Sequence, residues 1–293
     1  AETPGGVILT GKSFIKFGGN YITASGFQFY NGDNYDEEIG SSVVQFRSNS
    51  GNKHAHHCRL TDCSIIDMNS WEQDTDDDDE DGDTTEMIFH NAKWIQIYGT
   101  NNRVDHCYFS EKKVRGALII AEMVPQTGED GVPYAEYNHR IDHNFFGPIP
   151  VGFSGNEFET IRMGTSDFSN FNGNMVIEDN YLYHCDGEIE VISNKSSGNT
   201  YRNNTLIGCR GSLVIRHGDF CTVEGNVIIG EGLPNTGGIR LNGEGHTVIN
   251  NYVAGVRGTG LRASFVMRAA GSVDSSDTNG GYEQVRNALV AFN

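Results

Sequence analysis

The chain has 293 residues, with 39 acidic and 21 basic side chains and a formal net charge of -18. This charge argues against a nucleic-acid partner, because phosphate binding needs a basic face. The 37 glycines, the 6 prolines and the short runs of Val, Ile, Tyr and Phe favour strands over helices. No apolar run reaches the roughly 18 residues that a membrane-spanning helix needs, so no membrane partner is predicted.

A strand-like segment, GGVILTG, opens the chain, and a short phrase then recurs along it. The phrase is an apolar residue, two polar residues, a small Asn or Cys, and a strand. Clear copies read VDHCYF at 104–109, IDHNFF at 141–146, IEDNYL at 177–182, YRNNTL at 201–206, VEGNVI at 223–228 and VINNYV at 248–253. Further copies are ITASGF at 22–27, RLTDCS at 59–64 and QVRNAL at 284–289.

The fourth position of the phrase gives the repeat length. It holds Cys107, Asn144, Asn180, Asn204, Asn226 and Asn251, at successive spacings of 37, 36, 24, 22 and 25 residues. A basal period of about two dozen residues with short strands predicts an all-β fold, a parallel β-helix whose coils stack ~4.8 Å apart. Asparagines at one recurring turn position predict a stacked amide ladder.

The repeat extends along the whole chain, so residues 1–293 are predicted to form a single β-helix catalytic domain. Neither end resembles a cap, and solenoids need caps, so we expect further coils, caps or another domain outside this segment. Residues 74–86, DTDDDDEDGDTTE, depart from the repeat and are expected to form a solvated acidic loop between coils. A calcium loop is the alternative, although the spacing differs from that of an EF-hand.

Two sets of side chains have a structural and a functional interpretation. His54, His56 and His57 could bind a metal, but such a cluster beside a repeat phrase favours a turn packed against neighbouring coils. The cysteines have no CxxC pair, and their register favours small buried core residues over disulfides between coils. The six are Cys58, Cys63, Cys107, Cys185, Cys209 and Cys221.

The segment GEIEVISNKSSGN at 187–199 carries the strongest chemical signal. Its alternation predicts that Glu188 and Glu190 lie on one face of one strand. Upstream, NEFETIRMG places Asn156, Glu159 and Arg162 in a preceding coil. Adjacent carboxylates repel unless a proton or cation intervenes. Oxygen ligands from Glu188, Glu190 and the Asn156 amide would suit Ca²⁺.

Basic residues follow at intervals of about one coil. Lys195 precedes Arg216 by 21 residues, which predicts that the two are neighbours on adjacent coils. His217 comes next, and Arg240 lies one coil further on. For Arg162, His217 and Arg240, contact with substrate and structural pairing both remain open.

Together the motifs Asn-x-x-Glu-Thr-Ile-Arg, Gly-Glu-x-Glu-x-x-x-Asn-Lys-Ser and Arg-His-Gly resemble polysaccharide lyase family 6, which contains alginate lyases and a dermatan sulfate lyase. The resemblance implies a right-handed parallel β-helix that binds Ca²⁺ through Asn156, Glu188 and Glu190. It implies that Lys195 is the Brønsted base and Arg216 the Brønsted acid. The reaction would be β-elimination on an anionic uronate polysaccharide, by a secreted or periplasmic bacterial enzyme.

Several alternatives stay open. With few basic residues, the chain fits alginate better than dermatan sulfate, whose sulfates would favour more Arg and Lys. A glycoside hydrolase would need two carboxylates on opposite sides of the scissile bond. A non-catalytic glycan-binding solenoid would not need Lys195 beside Arg216.

Overall fold

The computed structural model describes residues 3–33, 42–48, 53–69, 71–73, 87–89, 91–123, 134–153, 155–269 and 282–293. The predicted acidic loop at 74–86 lies outside these ranges. Within them the chain forms short strands and two single-turn 3₁₀ helices, at Ser166–Phe168 and Gly260–Arg262. No described helix is long and apolar enough to cross a membrane.

The strands are β1 (Val7–Leu9), β2 (Ile15–Lys16), β3 (Thr23–Ser25), β4 (Phe27–Gly32), β5 (Val44–Gln45), β6 (Arg59–Thr61), β7 (Ser64–Met68), β8 (Trp71–Gln73), β9 (Met87–Phe89), β10 (Ile95–Ile97), β11 (Arg103–Asp105), β12 (Tyr108–Ser110), β13 (Ile119–Ala121), β14 (Arg140–Asp142), β15 (Phe145–Phe146), β16 (Ile161–Gly164), β17 (Val176–Glu178), β18 (Tyr181–Tyr183), β19 (Glu190–Lys195), β20 (Thr200–Arg202), β21 (Thr205–Ile207), β22 (Ser212–His217), β23 (Thr222–Glu224), β24 (Val227–Ile229), β25 (Ile239–Leu241), β26 (Thr247–Ile249), β27 (Tyr252–Ala254), β28 (Phe265–Met267) and β29 (Leu289–Ala291).

Three parallel sheets of nine strands each account for nearly all of these strands. The first sheet has the order β1-β4-β7-β12-β15-β18-β21-β24-β27, the second β2-β5-β10-β13-β16-β19-β22-β25-β28, and the third β3-β6-β11-β14-β17-β20-β23-β26-β29. β8 and β9 form a separate antiparallel pair. Each full coil thus gives one strand to each sheet, which confirms the predicted all-β, parallel β-helix fold.

The core consists of columns of apolar side chains that stack from coil to coil. In the third sheet the middle residue of each three-residue strand points inward, and in the first sheet large apolar residues do the same. The buried column of the third sheet is Leu60, Val104, Ile141, Ile177, Tyr201, Val223 and Val248. The side chains fill the solenoid interior, so any binding site has to be on its outside.

The predicted amide ladder is present. The Asn144 side chain donates to Asn180 Oδ1 at 3.0 Å, Asn180 to Asn204 at 3.0 Å, and Asn204 to Asn226 at 3.0 Å. Asn226 donates to Asn251 at 2.9 Å. The next rung is Asn293, which accepts from Asn251 at 2.8 Å. The copy that the sequence pattern placed at 284–289 is therefore out of register, because the ladder position falls on Asn293 and not on Asn287.

Replacing Asn204 by Ala should destabilise the protein by roughly 2–4 kcal/mol, because the change leaves buried polar partners without hydrogen bonds. Asn204 is fully buried, and its side chain joins the Asn180 backbone N–H, the Ile177 carbonyl and two ladder amides. Denaturant unfolding would measure the loss. The control is Asn203→Gly, since Asn203 is exposed with φ of 55°, a value that glycine adopts freely. Equal stabilities for both variants would contradict the ladder's role.

The cysteines and the early histidines have the structural roles that their positions favoured. All six cysteines are buried and free. His54 stacks on Tyr98 with ring centroids 5.5 Å apart, and His57 stacks on Tyr21 at 4.7 Å. His56 Nδ1 lies 2.9 Å from the Thr100 hydroxyl. These histidines therefore pack turns of neighbouring coils together.

A second column of turn residues includes Asn102, His139 and Asn199, each of which accepts a backbone N–H bond from a neighbouring coil. Within it, His139 should make the stability of the protein depend on pH. Its Nδ1 accepts from the backbone N–H of Asn102 at 3.2 Å, and burial, followed by the charge of His56, lowers the pKa of His139 to about 3. Between about pH 3 and pH 6.5, the unfolded chain binds a proton that the folded chain does not. The contribution of His139 is therefore complete above pH 6.5 and falls as the pH drops, by up to about 1.4 kcal/mol per pH unit.

His139→Asn tests this dependence, because Asn102 and Asn199 accept backbone N–H bonds at equivalent turns. Unfolding free energy measured against pH should have a shallower slope in the variant than in the wild type over this window. Parallel curves would show that His139 is not the group responsible.

The second sheet differs from the other two, and this difference creates the site. In each of its strands two side chains point into the core and the residue between them points outward. In β16, for example, Ile161 and Met163 are fully buried while Arg162 faces out. The outward position of the neighbouring strands holds Ser193, Val214 and Arg240. Arg162, Ser193 and Arg240 thereby lie in one row on this face, with the apolar Val214 between Ser193 and Arg240.

Candidate active site

Strands β16, β19, β22 and β25 are consecutive neighbours in the second sheet and carry six of the eight predicted site residues, all except Asn156 and Glu188. Arg162 of β16 lies opposite Ser193 of β19, and Arg240 of β25 lies opposite Val214 of β22. The coil spacing in the sequence predicted that Lys195 and Arg216 lie on adjacent coils, with Arg240 one coil further on. This prediction is confirmed, because Lys195 is in β19 and Arg216 is in the neighbouring strand β22.

The pairing of β19 with β22 is interrupted by two register shifts. One lies between Glu190 and Ile192 and the other between Asn194 and Lys195. Lys195 is consequently opposite His217, and Arg216 is the extra residue of β22 at this point. Bulges of this kind redirect a side chain and are common beside active sites.

Three buried carboxylates meet at the beginning of β19. Oxygen atoms of Glu159, Glu188 and Glu190 all lie within 4.8 Å of one another, and in the described residues no other group of three His, Cys, Asp or Glu side chains comes as close. The alternation in the sequence put Glu188 and Glu190 on one strand. That detail is wrong, because β19 begins at Glu190 and Glu188 lies in a bend at 187–189. Gly187 allows the bend, since a Cβ there would lie 2.4 Å from the Phe158 carbonyl oxygen.

Of the three carboxylates, Glu188 is the one that has no ion pair with a described cation. Neither of its oxygens accepts a well-formed hydrogen bond from any described residue, although its side chain is buried. Burial first, and then the charges of Glu159 and Glu190, raise the pKa of Glu188 to about 8, and Lys195 opposes them. A buried carboxyl without donors is expensive, so this position favours either a proton or a cation.

Glu159 joins the acidic cluster to the basic residues. Its Oε1 lies 3.3 Å from Lys195 Nζ and 3.5 Å from Arg162 Nη1. Burial opposes ionisation of Glu159, but these two cations outweigh it and lower its pKa. For Lys195, burial lowers the pKa, Glu159 opposes this, and Arg162 and Arg216 lower it further. The sequence predicted that Glu159 lies in the coil before Glu188, but it predicted no function for Glu159.

Glu190 is held by residues from three directions. Its Oε1 pairs with Arg240, and its Oε2 accepts from the Ser193 hydroxyl at 2.6 Å. Arg216 Nη1 lies 3.6 Å from the same Oε2. Only 1% of Arg240 is exposed, so in this structure it is a buried partner of Glu190 and not an open surface residue.

An aromatic ring completes the basic end of the site. Tyr282 stacks on His217 with centroids 5.7 Å apart, and the guanidinium groups of Arg268 and Arg216 lie 4.1 Å and 5.6 Å from its ring centre. Tyr282 and Arg268 were not predicted. A lone Tyr and a lone Arg near the irregular end of a repeat give no signal of their own.

Asn156 is exposed in the loop before β16, three residues ahead of Glu159. Its neighbour Gly155 lines the same cleft as Glu188. The Asn156 backbone is thus next to the cleft that Glu188 lines. Its predicted role as a metal ligand remains a prediction.

The comparisons with known proteins agree with this geometry. The family model for chondroitinase B matches residues 1–293. A comparison with curated proteins gave no match.

Among solved structures, a mannuronic acid specific polysaccharide family 6 lyase from human gut microbiota is 34% identical over 100% of this chain, with a TM-score of 0.80. The family 6 alginate lyase AlyGC is 35% identical over 98%, with a TM-score of 0.82. A family 6 alginate lyase in complex with a trisaccharide is 25% identical over 99%, with a TM-score of 0.80. The chain spans only 61%, 35% and 59% of those three proteins, respectively. Since the family model matches along the whole sequence, this chain belongs to the chondroitinase B family, the parallel β-helix proteins of polysaccharide lyase family 6.

Proposed function

We propose that this protein is a calcium-dependent polysaccharide lyase that cleaves alginate by β-elimination, leaving unsaturated uronate ends. The observation that carries the proposal is the placement of Lys195 and Arg216 on adjacent strands beside three buried carboxylates. Alginate as substrate is supported by the structural relatives, which are described as alginate or mannuronic acid specific lyases. It also fits the small number of basic residues, 21 against 39 acidic.

Lys195 is the base in this proposal. Elimination starts with removal of the proton from the carbon that carries the uronate carboxylate, and a neutral amine can accept it. Burial and two nearby guanidinium groups favour the neutral form of Lys195, as its lowered pKa indicates. The contact with Glu159 fixes the position of the amine and is the opposing influence.

Arg216 suits electrostatic stabilisation better than proton donation. Burial disfavours its charge, but Glu190, Tyr282 and the other carboxylates together raise the pKa of Arg216 above its ordinary value. A guanidinium that holds its proton this firmly stabilises the developing negative charge on the leaving oxygen. The role as Brønsted acid that the resemblance implies is therefore the weaker part of the assignment.

The residues present fit a hard cation. Three clustered carboxylates, with a Glu188 that lacks hydrogen-bond donors, form the kind of oxygen-rich site that Ca²⁺ favours. Glu188, Glu190 and Asn156 would hold the ion. When bound, it would neutralise the substrate carboxylate and so make the adjacent proton more acidic.

The remaining predicted residues would bind and orient the polymer. His217 lies opposite Lys195, and Arg162 contacts the same Glu159 carboxylate as Lys195. Tyr282 and Arg268 offer a ring and a cation next to His217. Arg240 acts through Glu190, which it holds in place. We therefore assign Arg162 and His217 to substrate contact and Arg240 to positioning.

The other functions are less well supported. Dermatan sulfate is the runner-up substrate, because the matching family model carries the name chondroitinase B. A hydrolase would need two carboxyl groups available to the substrate. Here Glu159 is tied to Lys195 and Arg162, and Glu190 to Arg240. A polysaccharide substrate lies outside the cytoplasm, so we propose a secreted or periplasmic location.

The test is the ultraviolet absorbance of unsaturated uronates during incubation with alginate or dermatan sulfate, with Ca²⁺ or with a chelator. We expect a calcium-dependent rise with alginate. A rise with dermatan sulfate alone would keep the mechanism and replace the substrate. No rise with either polymer, from folded protein containing Ca²⁺, would overturn the proposal.

A further inference from the structure

A second feature, a cleft of about 200 Å³, opens beside Glu188. Phe153, Asp186, Glu188, Arg210 and Arg262 are among its lining residues, whereas Lys195 and Arg216 are not. Glu188 is therefore a wall shared with the acidic cluster. The cleft adjoins the proposed reaction centre without being part of it.

Two arginines form one side of the cleft. Arg262 Nε donates to the backbone carbonyl of Arg210 at 3.1 Å, which holds the Arg262 side chain against the Arg210 backbone. Burial and the charge of Arg210 both lower the pKa of Arg262, so the two cations repel each other. Within the described ranges neither guanidinium forms an ion pair, although Arg103, Arg140 and Arg202 on the third sheet each contact a carboxylate.

Both acidic residues of the cleft, Asp186 and Glu188, lie near the two arginines, but among the described residues neither forms an ion pair with a guanidinium group of the cleft. Asp186 Oδ1 accepts the backbone N–H of Arg210 at 2.9 Å, and Glu188 belongs to the acidic cluster. The charges of Arg210 and Arg262 therefore act on each other, and no described carboxylate pairs with either guanidinium. Their repulsion would be relieved by an anion bound between them.

An aromatic ring lies at the rim. Phe153 is 64% exposed and packs edge-to-face on the buried Phe158, with centroids 5.0 Å apart and an interplanar angle of 84°. The exposed Phe153 ring and the two neighbouring arginines suit a ligand that has both an apolar C–H face and a carboxylate. A uronate residue has both.

We propose that this cleft is an additional sugar subsite, in which Arg210 and Arg262 bind the carboxylate of a uronate away from the cleaved bond and Phe153 packs against its ring. The inference rests on the proposed function, because a polymer held at Lys195 presents one carboxylate per residue to the neighbouring surface. Bonds to charged groups of this kind typically change affinity by about 10- to 100-fold.

The test is calorimetric binding of a uronate hexamer, with Ca²⁺ present, to Lys195→Met protein, in which turnover is removed. Adding Arg210→Gln and Arg262→Gln, singly and together, should weaken binding by about 10- to 100-fold for the pair. The control is Arg257→Gln, an exposed arginine that does not line the cleft. A hexamer with its carboxylates reduced to alcohols should bind weakly and equally to all of these proteins.

In protein that retains Lys195, the cleft variants should raise KM for the hexamer and leave kcat nearly unchanged. Equal hexamer affinity in the double variant and the Arg257→Gln control, with both folded, would overturn the subsite. If the wild type cleaves no uronate polymer, the proposed function fails, and the binding comparison still decides whether the cleft takes a uronate.

Discussion

Replacing Lys195 by Met should lower the rate of polymer cleavage by about 10²- to 10⁴-fold and leave the protein folded. The expected loss is large because Lys195 is the one lysine, among the described residues, that forms an ion pair with the acidic cluster, at 3.3 Å from Glu159 Oε1. Met keeps the length and apolar bulk of the side chain but cannot accept a proton. Initial rates of unsaturated uronate formation would measure the change.

The fold should survive this substitution because Glu159 keeps Arg162 as a partner, 3.5 Å away. The matched control is Lys113→Met, since Lys113 is partly exposed and pairs with Asp67 on another face. A folded Lys195→Met protein with more than about a tenth of wild-type activity would be too active for loss of a general base, whose contribution is at least about 10²-fold.

Glu188→Gln should abolish calcium dependence and lower activity by about 10²- to 10³-fold, the range expected when charge stabilisation in a buried site is lost. The wild type should lose its activity on chelation and regain it with Ca²⁺. Its melting temperature should also rise with Ca²⁺, because an ion that binds only the folded state stabilises it. The variant should show neither calcium response.

The calcium-free proteins give a separate prediction. Without the ion, Glu188 is a buried carboxyl without donors beside two other carboxylates. Gln removes the repulsion at constant shape, so the calcium-free variant should be at least as stable as the calcium-free wild type. Glu224→Gln, in the third sheet, is the control and should keep both calcium responses. A calcium-induced rise in melting temperature in Glu188→Gln equal to that of the wild type would place the ion elsewhere.

The fold was readable from the sequence because every coil repeats the same local constraint. Asn144, Asn180, Asn204, Asn226 and Asn251 mark one turn, and their spacing fixed the coils before any contact was known. The last coil was misplaced because two asparagines compete there and only the pairing of β26 with β29 selects Asn293.

The site was readable only in part, for physical reasons. Spacing by one coil brings Lys195 and Arg216 onto adjacent strands, but it does not reveal the bulge that puts His217 opposite Lys195. The contact between Arg240 and Glu190 joins residues 50 positions apart, and no local pattern encodes it. Tyr282 reaches the site from an irregular part of the repeat for the same reason.

The proposed lyase would cleave a uronate polymer by elimination at this face of the solenoid, without consuming water. Mass spectrometry of the products formed in isotopically labelled water tests it most directly. We expect new ends that lack the elements of water and carry no labelled oxygen, formed only with Ca²⁺ and Lys195 present. Saturated products with labelled oxygen at the cleaved bond would show hydrolysis and contradict it.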